Sequence, residues 1–315
     1  MAMAGEPLPR TPSSARLDAN ASEYDDGLSA FAGARSRLFG IAYRMLGSAA
    51  EAEDIVQDVW LRWQATDRSV VENPRAFLAT TTTRMCINFS QSAKSRRETY
   101  VGPWLPEPVD TSNDPSLGAE RGEALGFAIL LLLEKLSPTE RAAYILREAF
   151  DYSHREIADV LQIEEEHSRQ LVSRARKHIA EGRRTAASST EQQRLLEAFI
   201  EAAKNGDVVA LEALFAEDVV SYSDGGGVVR TAARAPVSGR ERVAKFYASF
   251  AWHFWTGVTI SWVETNGQAA VLISRDGIPG ALGTIDASPQ GIDQIMWIMR
   301  PSKLAAISTA GLKIR

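Results

Sequence analysis

The 315-residue chain is expected to fold as a multidomain protein, two all-α units followed by one α+β unit. Three observations predict this. Apolar residues recur at helical spacing as far as Gly182. Residues 98–119 hold four prolines together with Asp, Asn and Gly, which precludes a long regular element and separates two helical units. Beyond a polar break at 182–190, two or three helices give way to strand-like runs at Val258–Glu264, Ala269–Ser274 and Ile292–Met299. Asn266-Gly267 joins the first two runs and readily takes the positive φ angles of a type I′ hairpin turn. The length suits two or three compact cores, and the sequence has no internal repeat.

In chain order, Met1–Ser14 is rich in Pro, Ala and Ser and lacks a basic start followed by an apolar stretch. Residues 1–26 therefore read as a disordered leader and not as a secretory signal. Residues 51–63 predict an amphipathic helix. Ile55, Val59 and Trp63 recur at i, i+4 and i+8 as its core stripe, while Asp54, Gln57, Asp58 and Leu61 share another face. Two carboxylates at i, i+4 repel by about 0.2–0.5 kcal/mol, and a Leu between them suits a protein partner better than solvent. Asn73-Pro74 opens the next helix as N-cap and first helical residue. From it Arg75, Arg84, Asn88, Gln91, Lys94, Arg96 and Arg97 offer a phosphate and base surface.

Ser137-Pro138-Thr139-Glu140 and Ser153-His154-Arg155-Glu156 each spell a capping box. They open two short helices, through Ala149 and Leu161. After a turn at Gln162-Ile163, a third helix runs from Glu165 to Ala180. Ile157, Val160 and Leu161 are expected to pack on Leu171, Val172, Ala175 and Ile179. The opposite face then presents Ser168, Arg169, Gln170, Ser173, Arg174, Arg176 and Lys177. Arg and Gln near the start of such a helix can read base edges, and the later basic residues suit phosphates. Glu164–Glu166 complements the helix dipole but opposes phosphate.

The formal net charge of −5 does not exclude nucleic acid, because a binding footprint is a local patch. The single Cys86 excludes an internal disulfide and a zinc cluster. No apolar run reaches the roughly 18 residues a membrane span needs. The cytoplasm is the expected compartment, with no metal and no cofactor. In the tail, Tyr222, Asp224, Trp252, His253 and Trp255 are the candidates to line a cavity, with the aromatics more readily read as core and Asp224 as a turn residue. No pair of titratable groups suggests catalysis, so the chain is read as a non-enzyme.

Four segments in order carry a family resemblance: Ala-Glu-Asp-Ile-Val-Gln-Asp-Val-Trp-Leu (52–61), Asn-Pro-Arg-Ala-Phe-Leu (73–78), Leu-Ser-Pro-Thr-Glu-Arg (136–141) and Ser-Arg-Ala-Arg-Lys (173–177). Together they resemble the extracytoplasmic-function sigma factors, with region 2 at 27–97, a linker at 98–119, the region 4 helix-turn-helix at 120–182 and a second linker at 183–190. Tyr-Val-Gly-Pro-Trp-Leu-Pro-Glu-Pro (100–108), Asp224-Gly225-Gly226-Gly227 and Arg300-Pro301-Ser302-Lys303-Leu304 are similar to motifs of a subgroup with a C-terminal SnoaL-like extension, here 191–315. Gln162 replaces the family's common turn glycine, and the last motif lacks the subgroup's Asn and Asp.

The resemblance implies a helical bundle, a helix-turn-helix and a cone of curved sheet closed by helices, similar to nuclear transport factor 2. It implies core RNA polymerase as partner. Asp54, Gln57, Asp58 and Leu61 would meet the β′ clamp coiled coil, and the β flap would be a second contact on the polymerase. Promoter DNA would be held at −10 by the 73–97 helix and read at −35 by the 165–180 helix. The tail would regulate in cis, with Trp104, Leu105, Pro106, Glu107 and Pro108 docking near Asp224, Gly225, Gly226 and Gly227. A small ligand of unknown identity in the cone is the remaining partner class. Two rivals stand beside this reading: a tail that converts a small molecule, and a DNA-binding repressor that never meets polymerase.

Overall fold

The computed structural model describes residues 27–98, 100–111, 126–182, 184–305 and 307, with 92–98 as backbone. The expected leader 1–26, the rest of the first linker, and the side chains of Lys94, Arg96 and Arg97 lie outside the described residues.

Helix α1 (27–32) leads into α2 (Arg35–Leu46), α3 (Ala49–Ala65), a single 3-10 turn at Arg68–Val70, and α4 (Pro74–Glu98). Ser48 caps α3 by accepting from the Glu51 N–H at 3.2 Å, and Asn73 caps α4 through the Ala76 N–H at 3.1 Å. Ile55, Val59 and Trp63 are buried as the stripe required, and Cys86 is buried in the same core. Burial along α2 is unbroken from Leu38 to Leu46. A helix covered on every side must be surrounded by protein. α2 packs on α3 and α4, and also on α5 (Phe127–Leu133) and α6 (Pro138–Glu148).

The two helical units therefore share one core, which runs from Phe31 to Ile179. Two arginines pin the junction by donating to backbone carbonyls: Arg141 Nη1 to Met45 O at 2.6 Å and Arg84 Nε to Val160 O at 2.9 Å. The helix-turn-helix follows as α6, α7 (His154–Leu161) and α8 (Glu165–Gly182). Both capping boxes form. Gln162 ends α7 at φ 56°, the left-handed conformation that glycine adopts at least cost.

The last unit begins with α9 (Ser189–Asn205) and α10 (Val208–Leu214). Six strands follow in one sheet: β1 (Phe215–Asp224), β2 (Val237–Ser238), β3 (Thr259–Thr265), β4 (Gln268–Arg275), β5 (Ile278–Ser288) and β6 (Gly291–Ile298). α11 (Arg240–Phe254) separates β2 from β3, and α12 (Pro301–Leu304) follows β6. The sheet order is β2-β1-β6-β5-β4-β3, with β1 and β6 parallel and the remaining neighbours antiparallel. Register shifts in β1, β4 and β5 mark the bulges that curve the sheet. Asn266 at φ 56° and Gly267 at φ 70° make the expected hairpin turn.

Strand alternation gives the sheet two apolar faces. Val271, Ile273, Ile285, Ile295 and Trp297 face α9, α10 and α11. Ala270, Leu272, Leu282, Met296 and Ile298 face the other way, toward Phe127 of the helical lobe and Leu105 of the linker. The break at 182–190, expected as a loose linker, is pinned to the cone: Ala187 N–H donates to Ala287 O at 2.8 Å, and Arg184 bridges Asp218 and Asp293. Among the described residues no helix is long and apolar enough to cross a membrane.

Candidate functional site

On α3 the stripe Ile55, Val59 and Trp63 turns inward, so Asp54, Gln57, Asp58 and Leu61 face solvent. Leu61 is 55% exposed. Among the described residues neither aspartate forms an ion pair, which leaves a compact acidic face around one apolar side chain. On α4, Arg75, Asn88 and Gln91 are exposed. Arg84 departs from that surface. Its guanidinium donates to Val160 O at 2.9 Å and Asp159 O at 3.3 Å, at the C-terminal end of α7, where the helix dipole favours a cation. Thr81, Thr82 and Thr83 spend their hydroxyls on the carbonyls four residues back.

Arg169, Gln170, Ser173, Arg174, Arg176 and Lys177 form the outer face of α8. Ser168 corrects the expected set. It is fully buried and its hydroxyl meets His154 Nδ1 at 3.3 Å, because it falls on the stripe with Leu171, Val172 and Ala175. The basic side chains arrive paired. Arg169 meets Glu165 at 2.5 Å and Glu166 at 3.6 Å, which gives the acidic cluster a local partner. Arg174 reaches Glu140 at 3.2 Å and Arg176 reaches Glu148 at 2.7 Å, holding α8 on α6.

The linker 100–111 runs between the helical lobe and the outer face of the sheet. Asp224, expected in a turn, is the last residue of β1 and fully buried. Its carboxylate accepts from the Tyr100 hydroxyl at 2.5 Å, from the Leu105 N–H at 2.9 Å and from the Lys303 ammonium at 2.7 Å. Lys303 also donates to Leu105 O. Burial pulls Lys303 down from its ordinary value while the Asp224 charge opposes the fall. Burial, with Asp224 behind it, pushes the Tyr100 phenol up to about 12. The Lys303 ammonium lies 4.5 Å from the Trp104 ring centroid, and the Arg300 guanidinium lies 5.4 Å from that of Tyr100, both within cation–π range.

Further along, the linker ties both lobes together. Glu107 N–H donates to Gly47 O at 2.8 Å, and its carboxylate accepts the Ala50 N–H at 3.1 Å. Tyr43 donates to Glu107 O at 2.6 Å and accepts from Asn266 Nδ2 at 2.6 Å. Val109 and Asn266 exchange two bonds of 2.9 Å. Glycines set the close approach: a Cβ on Gly226 would stand 2.8 Å from Arg300 Cδ, and one on Gly47 would stand 2.6 Å from the Trp104 ring. The structure thus brings Trp104, Leu105 and Glu107 together with Asp224 and Gly226 in one clasp. It adds Tyr43, Gly47, Tyr100, Asn266, Arg300 and Lys303, which were not among the expected site residues. Tyr100 and Lys303 lie inside motifs that could have flagged them. Tyr43 carried no signal, and Asn266 signalled only a turn.

Of the tail residues expected to line a cavity, His253 and Trp255 do so. Tyr222 and Asp224 belong to the opposite face of the sheet, and Trp252 is 69% exposed. Among the described residues no carboxylate lines the cavity, and no cluster of three or more metal-ligating residues is present.

Comparison with known proteins matches three family models: Sigma-70 region 2 at residues 31–96, Sigma-70, region 4 at 126–179, and the SnoaL-like domain at 196–296. The ECF RNA polymerase sigma factor SigJ of Mycobacterium tuberculosis is 34% identical over 270 residues, 84% of this chain and 85% of that protein. The probable ECF RNA polymerase sigma factor SigI of the same species is 32% identical over 194 residues, 60% of this chain and 67% of that protein. The crystal structure of the M. tuberculosis extracytoplasmic function sigma factor SigJ superposes with a TM-score of 0.71 at 29% identity, covering 89% of this chain and 98% of that one.

Proposed function

The chain belongs to the extracytoplasmic-function RNA polymerase sigma factors with a SnoaL-like tail, and from that premise we infer that the fold described above is its closed, inhibited form. The observation that carries this reading is the Asp224 clasp. One buried carboxylate from the tail holds the linker between regions 2 and 4 at a backbone N–H and a phenol. Regions 2 and 4 share a core, and Arg84, a candidate for the −10 surface, is spent on the carbonyls of region 4. Spanning two promoter elements requires those lobes to part, so whatever keeps the linker short opposes initiation.

In the opened protein, Asp54, Gln57, Asp58 and Leu61 dock on the basic clamp coiled coil of β′, and region 4 meets the β flap. Arg75, Arg84, Asn88, Gln91, Lys94, Arg96 and Arg97 hold the −10 strand, and the outer face of α8 reads −35. The protein works in the cytoplasm, where polymerase and chromosome are. In vitro transcription with purified core polymerase and promoter fragments tests this. Asp54→Lys with Asp58→Lys keeps the fold, since both groups are exposed, and loses core binding through charge repulsion. Truncation after Arg230 removes β6 and Lys303 and raises transcription, and further loss of Asp224–Gly227 lowers it again if that loop also supports the open complex. Unchanged core affinity in the double variant, or equal activity across the truncations, refutes the reading.

A further inference from the structure

Another cavity, of about 450 Å³, lies between the helical lobe and the outer face of the sheet, within the size range of small-molecule sites. Ala128, Ile129 and Leu132 of α5 form its apolar side, and the break before α9 borders it at Ala186, Ala187 and Ser188. The facing wall is a polar row: Gln268 on β4, Asp286 on β5 and Gln294 on β6. Register sets Asp286 beside Gln294, as it sets Leu282 beside Ile298 and Thr284 beside Met296. Alternation therefore turns the row toward the outer face, where Leu272, Leu282, Met296 and Ile298 are buried with Phe127 of α5.

The hydrogen bonds of this wall leave acceptors over. Gln268 Nε2 donates to Gln192 Oε1 at 3.2 Å, and Gln192 Nε2 donates to Ala187 O at 3.2 Å. Gln268 Oε1 and Gln294 Oε1 are buried without a donor, a loss that N–H groups on a guest restore. Arg184 borders the cavity too, but its guanidinium is committed to Asp218 and Asp293, and those bonds hold it above its ordinary value. The Asp286 carboxylate in the row favours donors that carry positive charge. Among the described residues no cluster of three or more metal-ligating groups is present, so the row does not suit a bare metal ion. Opposite it, Ile129 and Leu132 suit a methylene stem. Two strand spacings of roughly 4.8 Å separate β4 from β6, so the two oxygens call for two donors on a short chain and not for one.

We propose that this cavity binds a short aliphatic diamine, one ammonium at Gln268 Oε1, the other at Gln294 Oε1 and Asp286, and its methylenes along Ile129 and Leu132. α5 lies in region 4 and the three strands lie in the tail, so the guest touches both lobes and favours their closed arrangement. That consequence rests on the clasp reading, whereas occupancy itself does not.

The probe is butane-1,4-diamine, titrated by calorimetry into the full chain at physiological salt, which screens diffuse attraction to a chain of net charge −5. Polymerase and DNA are left out, so failure of this site and failure of the clasp are told apart. The expected result is saturable one-site binding, about tenfold weaker for butane-1,4-diol, which has a stem of the same length but no charge. Gln294→Met removes one acceptor and weakens binding about tenfold. The thermal midpoint of the unliganded variant stays level or rises, because that oxygen had no bond to lose. Ala128→Trp fills the cavity and abolishes binding, while Trp252→Phe, at an exposed position, leaves it unchanged. Absence of saturable binding, equal affinity for the diol, or equal affinity in the wild type and in Gln294→Met overturns the proposal.

Discussion

Replacing Asp224 with Asn tests the clasp at its centre. The shape is kept, but one acceptor oxygen becomes an NH2 group, which faces either the Tyr100 donor on Oδ1 or the Leu105 and Lys303 donors on Oδ2. Lys303, only 4% exposed, then lacks its counter-charge. Removing one partner of a buried pair costs about 3–5 kcal/mol. The lower figure applies here, because the linker can swing away and let water reach the ammonium. A loss of about 3 kcal/mol multiplies the open population of the linker about 100-fold. Hydrogen exchange of the 100–111 segment in the full chain reads that opening directly, since the Leu105 N–H is protected by the replaced carboxylate. Adding Lys303→Met to Asp224→Asn removes both charges, so exchange in the double variant returns toward the wild-type rate. Exchange in Asp224→Asn within about threefold of wild type contradicts the argument, since it corresponds to less than about 1 kcal/mol.

Further outcomes follow from other elements. Arg169→Ala loses discrimination at one −35 position by about 1–3 kcal/mol, whereas Lys177→Ala weakens binding to all sequences and flattens its salt dependence; equal weakening on every promoter by Arg169→Ala places that side chain on phosphate. Gln162→Gly relieves the left-handed strain at φ 56° and raises stability by about 0.5–1 kcal/mol in chemical denaturation, with an unchanged or lower midpoint as the contrary result. Alkaline pH destabilises the protein. Tyr100 titrates at about 12 when folded and near 10 when unfolded, so the unfolded chain releases its proton first. This contribution is complete below about pH 10 and is lost toward pH 12. Burial raises Tyr43 and Tyr247 in the same sense. Lys303 is shifted downward, so it acts oppositely, adding stability as pH rises toward its ordinary value near 10.4. Denaturation midpoints across this range decline if the tyrosines dominate, and a flat profile contradicts that.

Local chemistry was legible in the sequence, and long-range packing was not. Ser137, Ser153, Asn73 and the Asn266-Gly267 turn act over a few residues, and each forms as its residue type requires. β1 was missed because Glu217-Asp218 interrupts its alternation and it leaves α10 without a turn. β5 was missed because Pro279, Gly280 and Gly283 resemble a loop. The shared helical core was hidden because Arg141 and Arg84 bond to backbone carbonyls, which carry no side-chain signature. Ser168 is polar yet buried, because its place on the stripe with Leu171, Val172 and Ala175 outweighs its hydroxyl. The clasp motifs stood out individually. The pairing of Asp224 with Lys303 and Leu105 joins positions 79 and 119 residues apart, which no spacing rule reaches.

Leu105 offers its N–H to Asp224 and its carbonyl to Lys303, and those two side chains are themselves paired. The tail thus grips the linker at one peptide-bearing residue with a two-jawed hold whose jaws brace each other. In the proposed opening by polymerase, tension along the linker loads both jaws at once. Withdrawal of Leu105 leaves the Asp224–Lys303 pair intact but breaks both of its bonds to the linker together. The hold therefore behaves as a latch with a threshold and not as a spring that lengthens in proportion to pull. A partner that supplies part of the separating force leaves the protein shut, and one that supplies the whole of it opens the linker in a single step.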